Sequence, residues 1–587
     1  MDLIKSDGGP PRWFCPVSCG KPLSDSPVLL YLPGIDGTGA GLVVHEKALG
    51  KVFHVQCLHI PVWDRTPLKG LIEFVEETVR IEHTLSPNKP IYILGESFGG
   101  ALALSVAARN PTIDLILVLA NPATSYQRSY LHAINGIVNL RPNELYGIKR
   151  FLMTNLMGDY LKMEIVGMDG PNDSPSFLQL FRRCVEDLPL FHLMLNIFPK
   201  ETLEWRLKLA ELAADYANSR LFAITAQLLI LASGKDMFLP SINEAHRLSR
   251  IIKRCKIRVF EDNGHTILLE SGVQLLSTIK TTHTYRRFSK HDHVEDFLPP
   301  SITEFKKTPM ETWCYRLFTG ATMFSTMEDG KIVRGLEGIP DEGPVLIVSN
   351  RTLRGFEIIS FALEFLREKG VVVHALTHPE TVPFNFEDDY IMKLFGAISI
   401  SAKNLLKLLL RKSYILLYPG GARDIFHRKG SPQELLRMSV KYGATIIPFV
   451  VVGEDEISEL IVDYEKIKRF SFLHQMVNEF NQGKTNLRKG MSEEISKQEL
   501  HFPILLPKIH SRLYYLFAKP IKTKGNENIL HDKDYLQKLY SQINCDFEEH
   551  TNYLLKKREE DPYRGLVERF FWLMTYGSLD QIPSFDQ

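Results

Sequence analysis

Three side chains in the first half of the chain have the types and order needed for nucleophilic acyl chemistry. Ser97 lies in Gly95-Glu96-Ser97-Phe98-Gly99, within IYILGESFGGALALSVAARNP. A bare GxSxG pentapeptide is weak evidence, since ordinary Gly and Ser frequencies yield on the order of 0.2 chance matches in a chain of this length. The context is what matters. Residues 90–94 read as a buried strand and 101–109 as a helix, so the serine falls at the tight turn between them. That turn lifts the hydroxyl clear of the sheet and sets the Phe98 N–H at a helix N-terminus, facing developing negative charge. Gly95 and Gly99 leave room where strand and helix nearly touch.

A serine nucleophile needs a base, and the base needs an orienting carboxylate. Asp236 follows a buried strand in LLILASGKDMFLP, and His265 follows the next one in VFEDNGHTILLE. The order Ser, Asp, His is that of an α/β-hydrolase. Asp262 is the rival acid, but it sits only three residues before His265. A second oxyanion donor is expected from the loop after an earlier strand. Residues 31–41, YLPGIDGTGAG, fit, with the N–H of Ile35 as the candidate. As a phosphate loop this stretch lacks the P-loop lysine and the full GxGxxG pattern.

The elements that must position these groups show in the apolar pattern. Residues 26–124 alternate strand and helix, with Leu71, Phe74, Val75 and Val79 on one face of a helix over 68–82. Apolar strands in a βαβ rhythm imply a parallel sheet covered on both faces. Residues 125–220 are strand-poor and rich in Leu, Phe and Met, and are read as a helical cap. Strands return at 226–232 and 257–261. These elements predict an α/β-hydrolase domain over 1–280. Residues 281–312, basic and then proline-bearing, read as a linker. A second α/β domain over 313–587 has strands at 345–349, 371–376, 414–418 and 445–452, and a charged helical stretch at 523–560.

Bulk properties narrow the class. The 587 residues, 44% hydrophobic and 24% charged with net charge +1, suit a globular chain of two or more domains. Near-neutral charge argues against a nucleic-acid partner. Seven scattered cysteines argue against a disulfide framework, and Cys15 and Cys19 have no second pair to complete a zinc site. No run of about 18 apolar residues predicts a membrane span. The N-terminal stretch shows neither an apolar signal core nor an Arg/Ser-rich amphipathic leader.

The segments DGGPPRWF, LLYLPGIDGTG, CLHIPVWDRTP, GESFGG, AARNP and LANPATS resemble plant phytyl ester synthases, plastid esterase/lipase-type proteins fused to a diacylglycerol-acyltransferase-like domain. The likeness continues through DGKIVRGLEGIPDEGPVLIVSN, LLYPGGARDIFHRKG, KYGATIIPFVVVGEDE and KKREEDPYRGL, covering roughly residues 6–585. It implies a C-terminal α/β acyltransferase-like domain. It also implies transfer of fatty acyl groups from acyl-CoA, acyl-ACP or galactolipid donors to phytol and diacylglycerol. The expected setting is a peripheral lipid or membrane surface, at chloroplast thylakoids and plastoglobules, with no cofactor. A plain serine lipase or esterase, or a non-catalytic lipid-binding protein, is the alternative.

The second half departs from that family at one chemically decisive place. Acyl transfer without a covalent intermediate needs a base for the acceptor hydroxyl, usually His oriented by a carboxylate. Family members carry that His where SNRTLRGFEII has Arg351, while the carboxylate position is kept as Glu357. Arginine stays protonated and cannot be a general base. His378 is a substitute candidate. The 418–421 turn with Gly420 and Gly421, and Arg423 beyond it, suit a loop holding a phosphate or acyl carbonyl. The segment after Gly430 is shorter than in family members, which carry an aromatic-rich insert there.

Overall fold

The computed structural model describes residues 8–23, 25–129, 132, 199–301, 304–305, 313–349, 357–377, 396–417, 439–453, 458–462, 504–507, 512–524, 533–576 and 583. The chain divides into two compact units, Met1–Asp296 and Phe297–Gln587.

The first unit is built on a seven-stranded sheet. Its strands are β1 (Arg12–Phe14), β2 (Val28–Leu32), β3 (His54–His59), β4 (Ile91–Glu96), β5 (Leu115–Ala120), β6 (Gln227–Ser233) and β7 (Cys255–Phe260), in the order β1-β3-β2-β4-β5-β6-β7. Every pairing is parallel except β1 on β3. All six residues of β4 and of β5 are buried. An unbroken apolar run of this kind marks a central strand covered on both faces. The antiparallel edge strand β1 is an element that the sequence reading did not identify.

Helix α1 (Leu68–Leu85) buries Leu68, Leu71, Ile72, Val75 and Val79, a helical spacing that gives it one core-facing stripe. Helix α2 (Phe98–Arg109) is buried at every position but its last. Its small residues allow this, because Gly99, Gly100, Ala101 and Ala103 let neighbouring backbone come close. Helix α3 (Lys200–Asn218) packs on α2 and contributes Leu203, Leu207, Ala210, Ala214 and Ala217 to the same core. This is an α/β-hydrolase fold.

Two boundaries differ from the sequence reading. The cap was expected over 125–220, but residues 123–128 form a short helical turn buried over 123–126, and α3 belongs to the core. The Leu and Ala side chains of α3, within the strand-poor stretch read as a cap, instead fill space against α2. Residues 133–198, where the rest of the expected cap falls, lie outside the described residues. The first part of the expected linker, 281–296, packs on the first unit. Tyr285 is buried beside Phe53 and Tyr92. Arg286 makes two 2.6 Å bonds to Asp114, and its N–H donates to the Tyr92 hydroxyl at 2.7 Å. The basic run reads as a linker in the sequence because its acceptor lies 172 residues away in the chain.

The second unit holds an eight-stranded mixed sheet. Its strands are β8 (Thr322–Thr326), β9 (Ile332–Arg334), β10 (Val345–Val348), β11 (Val373–Thr377), β12 (Ile398–Ser399), β13 (Tyr414–Leu417), β14 (Thr445–Val452) and β17 (Tyr514–Phe517). They run in the order β12-β11-β13-β10-β14-β17-β8-β9. The five strands from β12 to β14 are parallel, and a separate pair joins β15 (Ser458–Val462) to β16 (Ile504–Pro507). Phe361, Phe365, Phe449 and Phe517 make an aromatic core, with Phe449 and Phe517 stacked at 5.4 Å. Among the described residues no helix is long and apolar enough to cross a membrane.

Candidate active site

Strand β4 runs directly into α2 through Ser97, whose backbone adopts φ 49° and ψ −110°. A positive φ at a non-glycine residue costs on the order of 1–3 kcal/mol and persists only where its surroundings over-determine it. Here they do. The Ser97 N–H donates to Ala120 O at 2.9 Å, and the Ala123 N–H donates to Ser97 O at 2.9 Å. The flanking glycines are sterically required. A Cβ on Gly95 would lie 2.5 Å from Gly99 O, and one on Gly99 would lie 2.1 Å from Leu32 O.

The Ser97 hydroxyl lies 3.1 Å from His265 Nε2, and His265 Nδ1 lies 2.9 Å from Asp236 Oδ2. A carboxylate can only accept, so Nδ1 carries the donated proton and leaves Nε2 free to accept from the serine. Asp236 stands on the loop after β6. Its Oδ1 accepts the N–H groups of Phe238 at 2.9 Å and Leu239 at 3.0 Å, and its Oδ2 also accepts the Ser241 hydroxyl. Burial opposes ionisation of Asp236, but the His265 charge and these hydrogen bonds outweigh it and hold the carboxyl below its ordinary range. Phe238 sets its ring edge-on to the imidazole at 5.2 Å. Asp262, the rival acid, is on the surface and pairs with Lys235 at 2.9 Å.

The loop bearing Ile35 reaches the nucleophile. A Cβ on Gly34 would sit 3.8 Å from the Ser97 Cβ. Phe98 is the first residue of α2, so its N–H has no partner within the helix. The loop is braced from beneath. The Asp36 Oδ2 accepts the Thr38 N–H at 2.9 Å, the Ile60 N–H donates to Gly37 O at 2.8 Å, and Arg206 donates to Ile60 O at 2.8 Å and Pro61 O at 2.9 Å. Gly37 has φ 71°, and a Cβ there would meet Arg206 Nη1 at 2.4 Å. Tyr31 donates to Glu96 Oε2 at 2.5 Å, directly under Gly41.

Several of these supporting groups carry no sequence signal of their own. Asn121, Glu270, Tyr31 and Arg206 read as ordinary residues until the fold brings them together. Glu96 adjoins the nucleophile in the pentapeptide, yet only its burial beside Tyr31 distinguishes it from a surface carboxylate. Glu270 accepts from the Gly264 N–H at 2.8 Å and from Asn263 at 3.1 Å, fixing the backbone just before His265.

Of the second-half candidates, Glu357 begins the helix Glu357–Glu364 and is buried, with its backbone carbonyl accepting the Tyr515 hydroxyl at 2.8 Å. Arg351, His378, Gly420, Gly421 and Arg423 lie outside the described residues. Among the described residues no three His, Cys, Asp or Glu side chains gather as a metal site.

Residues 65–272 match the family model described as serine aminopeptidase, S33. An esterase from Exiguobacterium antarcticum is 15% identical, covering 47% of this chain and 92% of that one, with a TM-score of 0.31. Phytyl ester synthase 1, chloroplastic, from Arabidopsis thaliana is 46% identical across the whole chain and 86% of the relative. Phytyl ester synthase 2, chloroplastic, from the same plant is 40% identical with the same coverage. With identity at this level running from end to end, the chain belongs to the phytyl ester synthase family.

Proposed function

We propose that the first unit is a serine acyltransferase that esterifies long-chain alcohols. Ser97 Oγ attacks the acyl carbonyl of a thioester or lipid ester while His265 Nε2 takes its proton. Asp236 holds the imidazole in the right tautomer and stabilises the imidazolium. The N–H groups of Ile35 and Phe98 receive the oxyanion. Collapse returns the proton to the leaving thiol or alcohol and leaves an acyl-Ser97 ester. The acceptor hydroxyl then attacks, His265 takes its proton, and the product ester leaves with Ser97 restored. Water in place of the alcohol gives plain ester hydrolysis by the same route. Neither step requires a cofactor.

The observation that carries this reading is the continuous Ser97–His265–Asp236 hydrogen-bond chain on a positive-φ turn. The relatives' names point to phytol as the proposed acceptor, and the sequence resemblance adds diacylglycerol as a second. Acyl-CoA, acyl-ACP or a galactolipid is the donor, and a chloroplast lipid surface such as the plastoglobule is the setting. The second unit is proposed to be an acyltransferase-like domain whose acceptor-activating site is impaired by Arg351.

The test is product analysis of the full-length chain given a labelled acyl donor, with and without phytol, beside Ser97→Ala. Wild type should form labelled phytyl ester and react with a fluorophosphonate. Ser97→Ala should do neither. Turnover in that variant above about a few per cent of wild type would show that Ser97 is not the nucleophile.

A further inference from the structure

Asn121 directly follows β5 in a left-handed conformation, with φ 44°, a region that asparagine tolerates better than most residues. It is fully buried. Its amide nitrogen donates to Ser233 Oγ at 2.8 Å, to His265 O at 2.9 Å and to Gly264 O at 3.4 Å. Its amide oxygen accepts the Ser233 N–H at 3.0 Å, and its own N–H donates to Leu231 O at 3.0 Å. On either side of it, Ala120 O accepts from the Ser97 N–H and the Ala123 N–H donates to Ser97 O, both at 2.9 Å.

These bonds converge on the three segments that carry the acyl-transfer groups. Residues 120–123 grip the backbone of Ser97. Ser233 ends β6, three residues before Asp236. Gly264 and His265 form the loop after β7. These loops are also joined by the Lys235 N–H, which donates to Asn263 O at 2.9 Å, and by the side-chain chain Ser97–His265–Asp236, whose own bonds change during the reaction. Glu270 restrains the His265 loop at the Gly264 N–H, and Asn121 restrains it at the carbonyls.

We infer that Asn121 is a positioning residue, clasping the His265 loop to the ends of β5 and β6 so that Nε2 stays in reach of Ser97 through the catalytic cycle. The inference rests on the proposed serine acyl transfer. An amide suits the task because its two N–H hydrogens serve the Ser233 hydroxyl and the Gly264–His265 carbonyls while its oxygen accepts an N–H, which neither a carboxylate nor a hydroxyl can do. A misplacement of about 1 Å at a reacting pair costs on the order of 10²-fold in rate.

Two variants and a control test this in the full-length chain. Asn121→Gly keeps the positive φ and removes the clasp. Asn121→Asp keeps the shape and the acceptor for the Ser233 N–H but loses the donor to His265 O. Ser233→Ala removes one acceptor and leaves the bond to His265 intact. Active serines are first counted by fluorophosphonate titration, and kcat is expressed per titrated site. Both Asn121 variants should lose about 10²-fold in kcat with KM little changed, and Ser233→Ala should lose less than about threefold. If Asn121→Gly does not fold, the near-isosteric Asp variant carries the test. Unchanged kcat per titrated serine in either folded variant, with only the midpoint of thermal unfolding lowered, would reduce Asn121 to a structural role and overturn the inference. A loss in Ser233→Ala as large as in the Asn121 variants would overturn it too. A wild type that neither reacts with the fluorophosphonate nor depends on Ser97 would instead sink the acyl-transfer reading beneath it.

Discussion

The His265 imidazole is pulled two ways. Burial favours the neutral ring. The Asp236 charge and its hydrogen bond, followed by the charges of Glu96 and Glu270, favour the imidazolium, and the balance raises the pKa above the ordinary 6.5. A base must be neutral before it can take the Ser97 proton. The acid limb of kcat/KM should therefore lie above pH 6.5, with activity climbing as pH rises through it. The Glu96 carboxyl is pushed up to about 7 by burial and then by the neighbouring Asp36, so it gains its charge within the same window. Glu96→Gln removes an anion that favours the imidazolium, and the limb should move to lower pH. The pH dependence of kcat/KM on a water-soluble ester measures both. A limb that stays in place or moves up in Glu96→Gln would show that Glu96 does not reach His265 electrostatically.

At the scale of elements, the site depends on how closely β2, β4 and α2 meet. Gly99 opens the first turn of α2 against the end of β2, where Leu32 O and Pro33 O lie 2.1 and 2.6 Å from where its Cβ would be. Both contacts are to backbone, so no side chain can swing aside to accept a methyl group. Gly99→Ala must push α2 away from the strand that feeds the Ile35 loop. That separates the nucleophile from one of its two proposed oxyanion donors. Overpacking of this kind costs about 1–3 kcal/mol, so the expected outcome is a lowered unfolding midpoint together with a fall in kcat larger than the loss of folded protein explains. Thermal unfolding and active-site titration on the same sample would separate the two effects. An Ala variant with wild-type kcat per titrated serine would mean that the approach of α2 to β2 serves packing alone.

At the scale of the whole molecule, two units with separate sheets and separate cores share one chain. Only the first carries a complete nucleophile, base and acid among the described residues. In the second, Glu357 is buried at the start of a helix, and the proposed acyltransferase-like site would have Arg351 at the position where a base is needed. An acceptor alcohol must lose its proton during attack, and a positioned base typically contributes about 10²–10⁴-fold to that step. The full-length Ser97→Ala chain should therefore transfer almost no acyl group to diacylglycerol or phytol, and Ser97→Ala with Arg351→His should transfer more. Strong transfer by Ser97→Ala alone would show that the second unit has another base, with His378 first in line. Failure of both forms would fit a site that Arg351→His alone does not restore.

How far the sequence reached follows from the range of each signal. The nucleophile turn is local. A strand, a small-residue turn and a helix lie within about twenty consecutive residues, and steric necessity at Gly95 and Gly99 writes itself into residue type. Asp236 and His265 were legible because each follows an apolar strand in the chain order that this fold imposes. The choice between Asp236 and Asp262 leaned on sequence spacing, and the contacts in the fold distinguish them, since one carboxylate is buried against the imidazole and the other is held at the surface by Lys235. The membership of α3 in the core, the docking of residues 281–296 and the bracing by Tyr31, Arg206 and Glu270 were decided only by tertiary structure. The same holds for Asn121, whose side-chain partners lie 112 to 144 residues away. A buried polar side chain that serves several loops leaves no periodicity and no spacing for a linear reading to find. Its role exists only once the strand ends stand side by side.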